Sequence, residues 1–322
     1  MDAILDLAAA NLLSPMVLSF ALGVAAALAR SDLSVPEAVA KALSLYLLFA
    51  IGYKGGVSVA EGGAGATLFA ALGVGVILSA AIPFVAFGVL RAISGLSVTD
   101  AAAVAAHYGS ISIVTFVAAT SALAAAGVAY EGYMVAVAAA MEAPAILAAL
   151  WLIARTGAGG AGEADGTLMR EILLNGSIVL LIGSFAIGWI TGPAGRAEIA
   201  GFIDAPFKGV LCLFLLDMGL VAGRGLRDAR GALALPVIGF GLAMPLIGGA
   251  LGLAGALLLG LSVGGTALMV TLSASASYIA VPAAMRVALP EANPAVYLTL
   301  SLGVTFPFNL TLGIPLYIAI AS

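Results

Sequence analysis

Two clusters of hydroxyl side chains lie within apolar segments of the chain. The first runs from His107 to Thr115 (HYGSISIVT) and the second from Thr271 to Tyr278 (TLSASASY). Ser and Thr hydroxyls compete for backbone hydrogen-bonding groups and can stabilise an interruption of a helix. The N–H groups at the start of a half-helix favour an anion, and the carbonyl groups at the end of one favour a cation. The clusters therefore predict two interrupted helices that bind ions, although small residues also serve close helix packing.

Few ionisable residues lie in the middle of apolar segments. Glu142 is found in AAAMEAPAI and Asp217 in LFLLDMGL. An acid in hydrocarbon is costly, so it usually faces a cavity, a partner or an ion. Glu142 is the candidate for a cation, together with Thr305 and Asn309, because oxygen ligands suit hard cations such as Na⁺. For Asp217 and His107 a structural contact is the preferred interpretation.

No Lys or Arg lies near either serine cluster. An anion bound there would be held by half-helix N-termini, hydroxyl groups and a co-bound cation. An unaccompanied anion at this site would carry a large desolvation penalty. This arrangement predicts obligatory coupling between the anion and the cation.

The composition excludes most classes of protein. Of 322 residues, 63% are hydrophobic and 9% are charged, where soluble domains carry roughly 25% charged residues. The mean hydropathy is +1.21, the pI is about 4.9 and the formal net charge is −4. A soluble enzyme, a disordered chain and a nucleic-acid-binding protein are therefore excluded. One cysteine and one histidine exclude a disulfide framework and HExxH zinc chemistry, so no cofactor is expected.

The apolar blocks predict a polytopic α-helical membrane protein, since a spanning helix needs about 20 mostly apolar residues. The N-terminal segment lacks a basic region and a cleavage site, so no cleaved signal peptide is expected. The ten predicted spans cover 14–29, 34–53, 67–91, 101–126, 131–154, 171–192, 202–223, 232–257, 264–289 and 294–321.

The basic residues predict the orientation of these spans. The loops that follow even-numbered spans hold Lys54, Arg196 and Lys208, and the loops that follow odd-numbered spans hold the other nine of the twelve. The positive-inside rule then places the odd loops in the cytoplasm and both termini on the non-cytoplasmic side. The predicted location is the inner or plasma membrane.

The Gly-rich segment 155–170 is the longest polar interruption and reads as a cytoplasmic linker. It separates a first five-span half, 1–154, from a second, 171–322. The halves share short matches, among them Leu-Ser-Val at 96–98 and 261–263, and a shift of 163 places Ser110 and Ser112 on Ser273 and Ser275. Five spans per half require that the second copy insert upside down. The predicted fold is therefore all-α, with two inverted five-helix repeats and discontinuous, crossing spans 4 and 9, as in many secondary transporters.

The second half carries a specific resemblance. The stretch from Thr271 to Pro315 closely resembles the carboxy-terminal signature of the sodium-dependent bicarbonate transporter family, known best from cyanobacteria. The segments 109–115 (GSISIVT) and 141–144 (MEAP) are similar to the Ser/Gly-rich segment and the acid-x-Pro turn of that family.

This resemblance implies Na⁺-driven uptake of bicarbonate by a homotrimer in lipid, with Na⁺ as coupling ion. It implies a core domain of spans 3–5 and 8–10 and a gate domain of spans 1, 2, 6 and 7. The residues to which substrate binding carries over are Gly109, Ser110, Ser112, Thr115, Ser273, Ala274 and Ser275. The sodium-binding candidates beside them are Glu142, Ser277, Thr305 and Asn309.

The chain also departs from the family pattern. Its linker of about sixteen residues is shorter than in cyanobacterial members, which weakens the implied regulation by a PII-like protein. Ser112-Ile-Val-Thr115 replaces a sequence closer to S-G-S-T, and Glu142 replaces the usual Asp. These differences leave open a symporter of another small organic anion on the similar bile-acid plan. A passive channel is a further alternative, and no G-x-S-x-G or paired-Asp pattern supports an intramembrane enzyme.

Overall fold

The computed structural model describes residues 12–63, 65–156, 174, 176–228, 234–279, 281–282, 284–285 and 289–322. The regular structure of these residues is helical, and eight helical segments are long and apolar enough to cross a membrane, two of which, Val98–Ala125 and Met134–Ile153, each contain an interruption. Within a bilayer the backbone polar groups must be satisfied inside the protein, which helices do locally. The chain is a multi-pass helical membrane protein.

The helices follow the predicted spans in order. The first half contains α1 (Pro15–Leu28), α2 (Glu37–Gly62), α3 (Ala66–Ile93), α4 (Val98–Gly109), α5 (Ile113–Ala125), α6 (Met134–Ala140) and α7 (Pro144–Thr156). The second half contains α8 (Gly176–Ile203), α9 (Phe207–Asp228), α10 (Leu235–Leu259), α11 (Val263–Ala274) and α12 (Pro294–Ala321). Of the predicted linker 155–170, only residues 155 and 156 lie among the described residues, and the first eleven residues lie outside them.

The second helix is longer than predicted. It continues to Gly62, so Lys54 lies within α2 and not in a loop. The Lys54 ammonium is 3.3 Å from a carboxylate oxygen of Asp204 and 4.1 Å from the ring centroid of Phe207. This ion pair and the aromatic ring compensate for the partial burial of the charge, and neither partner can be identified from single charges along the chain.

Both predicted interruptions are present. Helix α4 ends at Gly109 and α5 begins at Ile113, and α11 ends at Ala274 before residues 275–279 adopt non-helical conformations. A third interruption, at 141–143, separates α6 from α7. Pro144 accounts for it, because proline disfavours helical conformation in the residue before it and lacks an N–H.

The last helix is continuous but unusual. Two segments of α12, Thr299–Thr305 and Asn309–Gly313, form π-helical turns. Such turns are rare and occur frequently at functional sites. They lie in the second half near the place that the interruption at 141–143 occupies in the first.

Glycines allow helices of the two halves to pack backbone against backbone. A Cβ atom on Gly56 of α2 would lie 1.9 Å from the Phe185 carbonyl oxygen of α8. A Cβ atom on Gly23 of α1 would lie 2.1 Å from the Leu216 carbonyl oxygen of α9. The halves are therefore interleaved, with α1 on α9 and α2 on α8.

The close approach at Gly56 predicts a destabilised variant. In Gly56→Ala, α2 and α8 must separate, which we expect to cost about 1–3 kcal/mol. The measurement is the thermal stability of the detergent-solubilised protein. The control is Gly73→Ala in α3, where no atom lies within 4 Å of the new methyl group, and a gain of about 0.5–1 kcal/mol is expected there. Equal stability of the two variants would contradict this packing.

Candidate functional site

The two helices that carry the serine clusters are matched in length and capping. Helices α4 and α11 each contain 12 residues and each begins after a serine N-cap, Ser97 or Ser262, whose hydroxyl accepts from the N–H three residues on. They begin at Val98 and Val263, 165 residues apart.

The matched helices correct the pairing of the serine clusters. Ser110 and Ser275 are the C-caps of their helices and correspond to each other, and Ser112 corresponds to Ser277. The shift of 163, which paired Ser110 with Ser273, is wrong by two residues. It was drawn from residue types in a Ser/Ala-rich segment, whereas the helix caps define the register.

The interrupted segments bind each other. The N–H of Ser112 donates to the hydroxyl of Ser275 at 2.9 Å, and the N–H of Ser277 donates to the carbonyl of His107 at 2.7 Å. The Ser275 hydroxyl donates in turn to the Leu272 carbonyl at 2.8 Å. Backbone groups that leave the helical pattern thus find partners in the opposite half of the chain.

A small pocket lies where the three interruptions meet. Its lining residues are Ile111, Ser112, Ile113, Glu142, Ser277, Tyr278 and Ile279. Glu142 is 5% exposed, and no hydrogen-bond partner of its carboxylate is found in the described part of the chain. A buried carboxylate is thus placed beside two hydroxyl groups, one from each half.

The helix ends around this pocket favour both signs of charge. Ser112 is the N-cap of α5 and accepts from the N–H of Thr115. By helix geometry, the N–H groups of Ile113 and Val114 have no intrahelical acceptor, which favours an anion. Helices α4 and α11 end at the same crossing, and their carbonyl ends favour a cation.

Two acids hold the far ends of the interrupted helices. Asp100 in α4 accepts from the Ser97 hydroxyl and from the N–H of Asn293, both at 2.8 Å. Glu131 accepts from the N–H and the hydroxyl of Ser262, also at 2.8 Å. Each acid therefore links the start of an interrupted helix to the other half of the chain.

The predicted substrate-binding residues are only partly brought together. Ser112 lines the pocket, and Thr115 and Ser275 bond directly to it. Gly109 packs against Pro83 and Ala145. The hydroxyls of Ser110 and Ser273 are buried without a described partner, and Ser273 lies against Gly252 of α10. The Ala274 carbonyl is bound by Asn309.

The sodium-binding candidates fall into two pairs. Glu142 and Ser277 line the pocket together. The Thr305 hydroxyl donates to the Gly241 carbonyl at 2.7 Å and contacts the Tyr108 hydroxyl. Asn309 donates to the Ala274 carbonyl at 2.9 Å and accepts from Tyr317 at 2.7 Å. These bonds join α12 to α4, α10 and α11, so Thr305 and Asn309 brace the helices around the pocket.

The buried His107 and Asp217 lie outside the pocket lining. Nδ1 of His107 donates to the Ala103 carbonyl at 2.6 Å, and its ring stacks on Tyr297 at 4.5 Å between centroids. Asp217 lies in α9 and is 6% exposed. In the described ranges, no group of three or more His, Cys, Asp or Glu side chains could hold a metal ion. A cation at Glu142 would therefore depend on hydroxyl and carbonyl oxygens.

Sequence reasoning missed several residues of the site. Tyr278 and three isoleucines line the pocket, and Ser79 of α3 bonds to the interruption at 141–143. The aliphatic residues carry no chemical signal in an apolar chain. The dipeptide Ala143-Pro144 was the one signal for the third interruption, since the residue before proline avoids helical conformation.

The sequence as a whole is similar to a known family of proteins. Residues 15–322 match the model of the Na⁺-dependent bicarbonate transporter superfamily. The chain belongs to this superfamily. No curated protein matches it individually. The superfamily consists of transporters and not of enzymes, and its description names bicarbonate as the transported species and Na⁺ as the ion on which transport depends.

The link at Glu131 predicts a stability change. In Glu131→Ala, the two bonds to Ser262 are lost and the start of α11 is released, so stability falls by about 1.5–3 kcal/mol. The measurement is thermal unfolding in detergent. The control is Glu61→Ala, because Glu61 is exposed and has no hydrogen bond in the described structure. A variant at Glu131 as stable as the control would show that this link is dispensable.

Proposed function

We propose that this chain is a secondary active transporter that carries Na⁺ and a small anion together, with bicarbonate as the anion. The observation that supports this most directly is the placement of Glu142 beside Ser112 and Ser277 at the meeting point of three chain interruptions. Residues from both halves contribute and all lie in the proposed core, so a movement of the core against the gate would change access to the pocket. The pocket is small, and it is lined by three isoleucines, two serines, Tyr278 and Glu142, so it suits bicarbonate better than a larger organic acid.

The proposed roles follow from charge. Na⁺ binds at Glu142 and Ser277, where the carboxylate supplies negative charge. The carbonyl ends of α4 and α11, at the same crossing, also favour a cation. Bicarbonate binds at the N-terminal end of α5, with Ser112, Thr115 and Ser275 as the supporting hydroxyls. Bicarbonate does not enter without Na⁺, because an anion beside the Glu142 carboxylate would leave uncompensated negative charge in this buried site, with a large desolvation penalty.

Alternating access is the proposed mechanism. The core domain comprises spans 3–5 and 8–10, and the pocket lies at its three interruptions: between α4 and α5, between α6 and α7, and after α11. The gate domain comprises spans 1, 2, 6 and 7, and the packing of α1 on α9 and α2 on α8 supports this grouping. We propose that the core moves against the gate, with 1–154 and 171–322 as inverted repeats joined by the linker 155–170.

The membrane arrangement is also a proposal. Both termini lie on the non-cytoplasmic side of the inner or plasma membrane, on the strength of the nine-to-three distribution of basic residues. The assembly is a homotrimer by resemblance to the bicarbonate transporter family, and a PII-like regulator would have only the short linker to bind.

The test is uptake of labelled bicarbonate into proteoliposomes under an inward Na⁺ gradient, compared with an equal choline gradient. Accumulation above equilibrium only with Na⁺ is expected. Equilibration without dependence on Na⁺ would identify a passive channel. Absence of bicarbonate uptake by folded protein would exclude bicarbonate and direct the assay to other small anions.

Glu142 is expected to set the dependence on sodium. In Glu142→Gln the Na⁺ concentration for half-maximal uptake should rise by about 10- to 100-fold, since a charge-assisted interaction is lost. Asp217→Asn is the matched control, because Asp217 is equally buried but lies outside the pocket lining. Equal responses of the two variants would refute the sodium site.

Ser275 is expected to support the anion site. In Ser275→Ala the buried N–H of Ser112 loses its acceptor, at a cost of about 1–3 kcal/mol in folding free energy. The start of α5, where the anion is proposed to bind, is then no longer held in place. We expect the KM for bicarbonate to rise by roughly 5- to 100-fold. Ser273→Ala is the control, since the Ser273 hydroxyl has no described partner and faces α10. A larger effect at Ser273 would move the anion site away from α5.

A further inference from the structure

One buried stripe of α3 touches the two first-half interruptions. Gly75, Ser79 and Pro83 succeed each other at intervals of four residues, so they share a helix face. A Cβ atom on Gly75 would lie 3.1 Å from the Met141 side chain, and Pro83 packs against Gly109 at the end of α4. Between them, Ser79 reaches the backbone of the third interruption.

The Ser79 hydroxyl satisfies a carbonyl that the interruption leaves open. Met141 is the C-cap of α6, where the last carbonyls of a helix have no intrahelical donor. Ser79 is 0% exposed and donates to the Met141 carbonyl at 2.5 Å. Met141 precedes Glu142, so this bond fixes the backbone from which the carboxylate reaches the pocket.

The second half contains a comparable bond, in which the helix α10 accepts and does not donate. Helices α3 and α10 each contain one internal proline, Pro83 and Pro245, 162 residues apart. Ser79 and Gly241 each lie four residues before that proline. The Gly241 carbonyl accepts from Thr305 of α12, whereas Ser79 donates to Met141 between α6 and α7. Each helix therefore bonds to the final span of its own half four residues before its internal proline, although these positions are 162 residues apart and not the 165 that separates the starts of α4 and α11.

We propose that Ser79 is a positioning residue for the cation site: its hydroxyl holds the interruption at 141–143 so that Glu142 faces the pocket. Ser79 touches no transported ion and acts through Glu142. The inference rests on the proposed role of Glu142 in binding Na⁺. It assigns to α3 an indirect part, through Glu142, in setting the affinity for sodium.

The experiment measures the KM for Na⁺ and the Vmax of bicarbonate uptake in proteoliposomes for Ser79→Ala, Glu142→Gln and the double variant. In Ser79→Ala the KM for Na⁺ should rise by about threefold to tenfold, with Vmax at saturating Na⁺ nearly unchanged. In the Glu142→Gln background, Ser79→Ala should add little, because a residue that acts through another is not additive with it.

Two further variants distinguish loss of the Ser79–Met141 hydrogen bond from a general loss of folding. Ser79→Cys keeps an atom at the γ position, slightly larger than the hydroxyl oxygen, but has only a weak donor, so its KM should rise as in the alanine variant. Ser184→Ala is the matched control, since this buried hydroxyl bonds within its own helix α8. An unchanged KM in both Ser79 variants, or the same rise with and without Glu142, would overturn the role of Ser79. If Glu142→Gln itself leaves the KM for Na⁺ unchanged, it is the proposed sodium site that fails.

Discussion

Two backbone N–H groups at the helix crossing, those of Ser112 and Ser277, find their acceptors in the opposite half of the chain. In hydrocarbon an unsatisfied backbone group costs several kcal/mol, so a helix can be interrupted at this depth only where another segment supplies the missing partner. Each interruption therefore depends on the other for the acceptor of one backbone N–H group. The site cannot form in either half alone, because each half lacks the acceptor that the other provides.

The surrounding helices maintain this exchange. Ser79 of α3 and Gly241 of α10 anchor the last span of each half, and Asp100 and Glu131 attach the far ends of the interrupted helices. Each of these four hydrogen bonds includes a backbone N–H or carbonyl group. Such groups lack intrahelical partners where a helix begins, ends or is interrupted. Small residues allow the necessary approach: Gly248 and Gly252 of α10 lie against the end of α11. The pocket is therefore positioned by rigid packing around a few backbone hydrogen bonds.

Much of this arrangement is visible in the sequence because the bilayer restricts what an apolar chain can form. The order of the helices and the interruptions near Ser112 and Ser275 follow from hydropathy and from the density of hydroxyl groups. The end of α2 did not follow, since Lys54 resembles a loop residue until Asp204 and Phe207 are placed around it. The register of the repeat was wrong for a similar reason. In a segment of Ser and Ala, residue types match at several shifts, and the helix caps decide between them.

The sequence by itself determined that this chain crosses a membrane many times and that two of its apolar segments are interrupted. It also identified Glu142 as the acid within an apolar segment that is the candidate for binding a cation. These properties depend on composition and on local backbone chemistry. Only the tertiary structure decided which residues share the pocket: it joined Glu142 to Ser112 and Ser277, turned Ser273 towards α10 and engaged Thr305 and Asn309 elsewhere. The physical reason is that the orientation of a side chain in a packed helix bundle depends on close contacts between helices distant in sequence, which hydropathy and spacing along one chain do not encode.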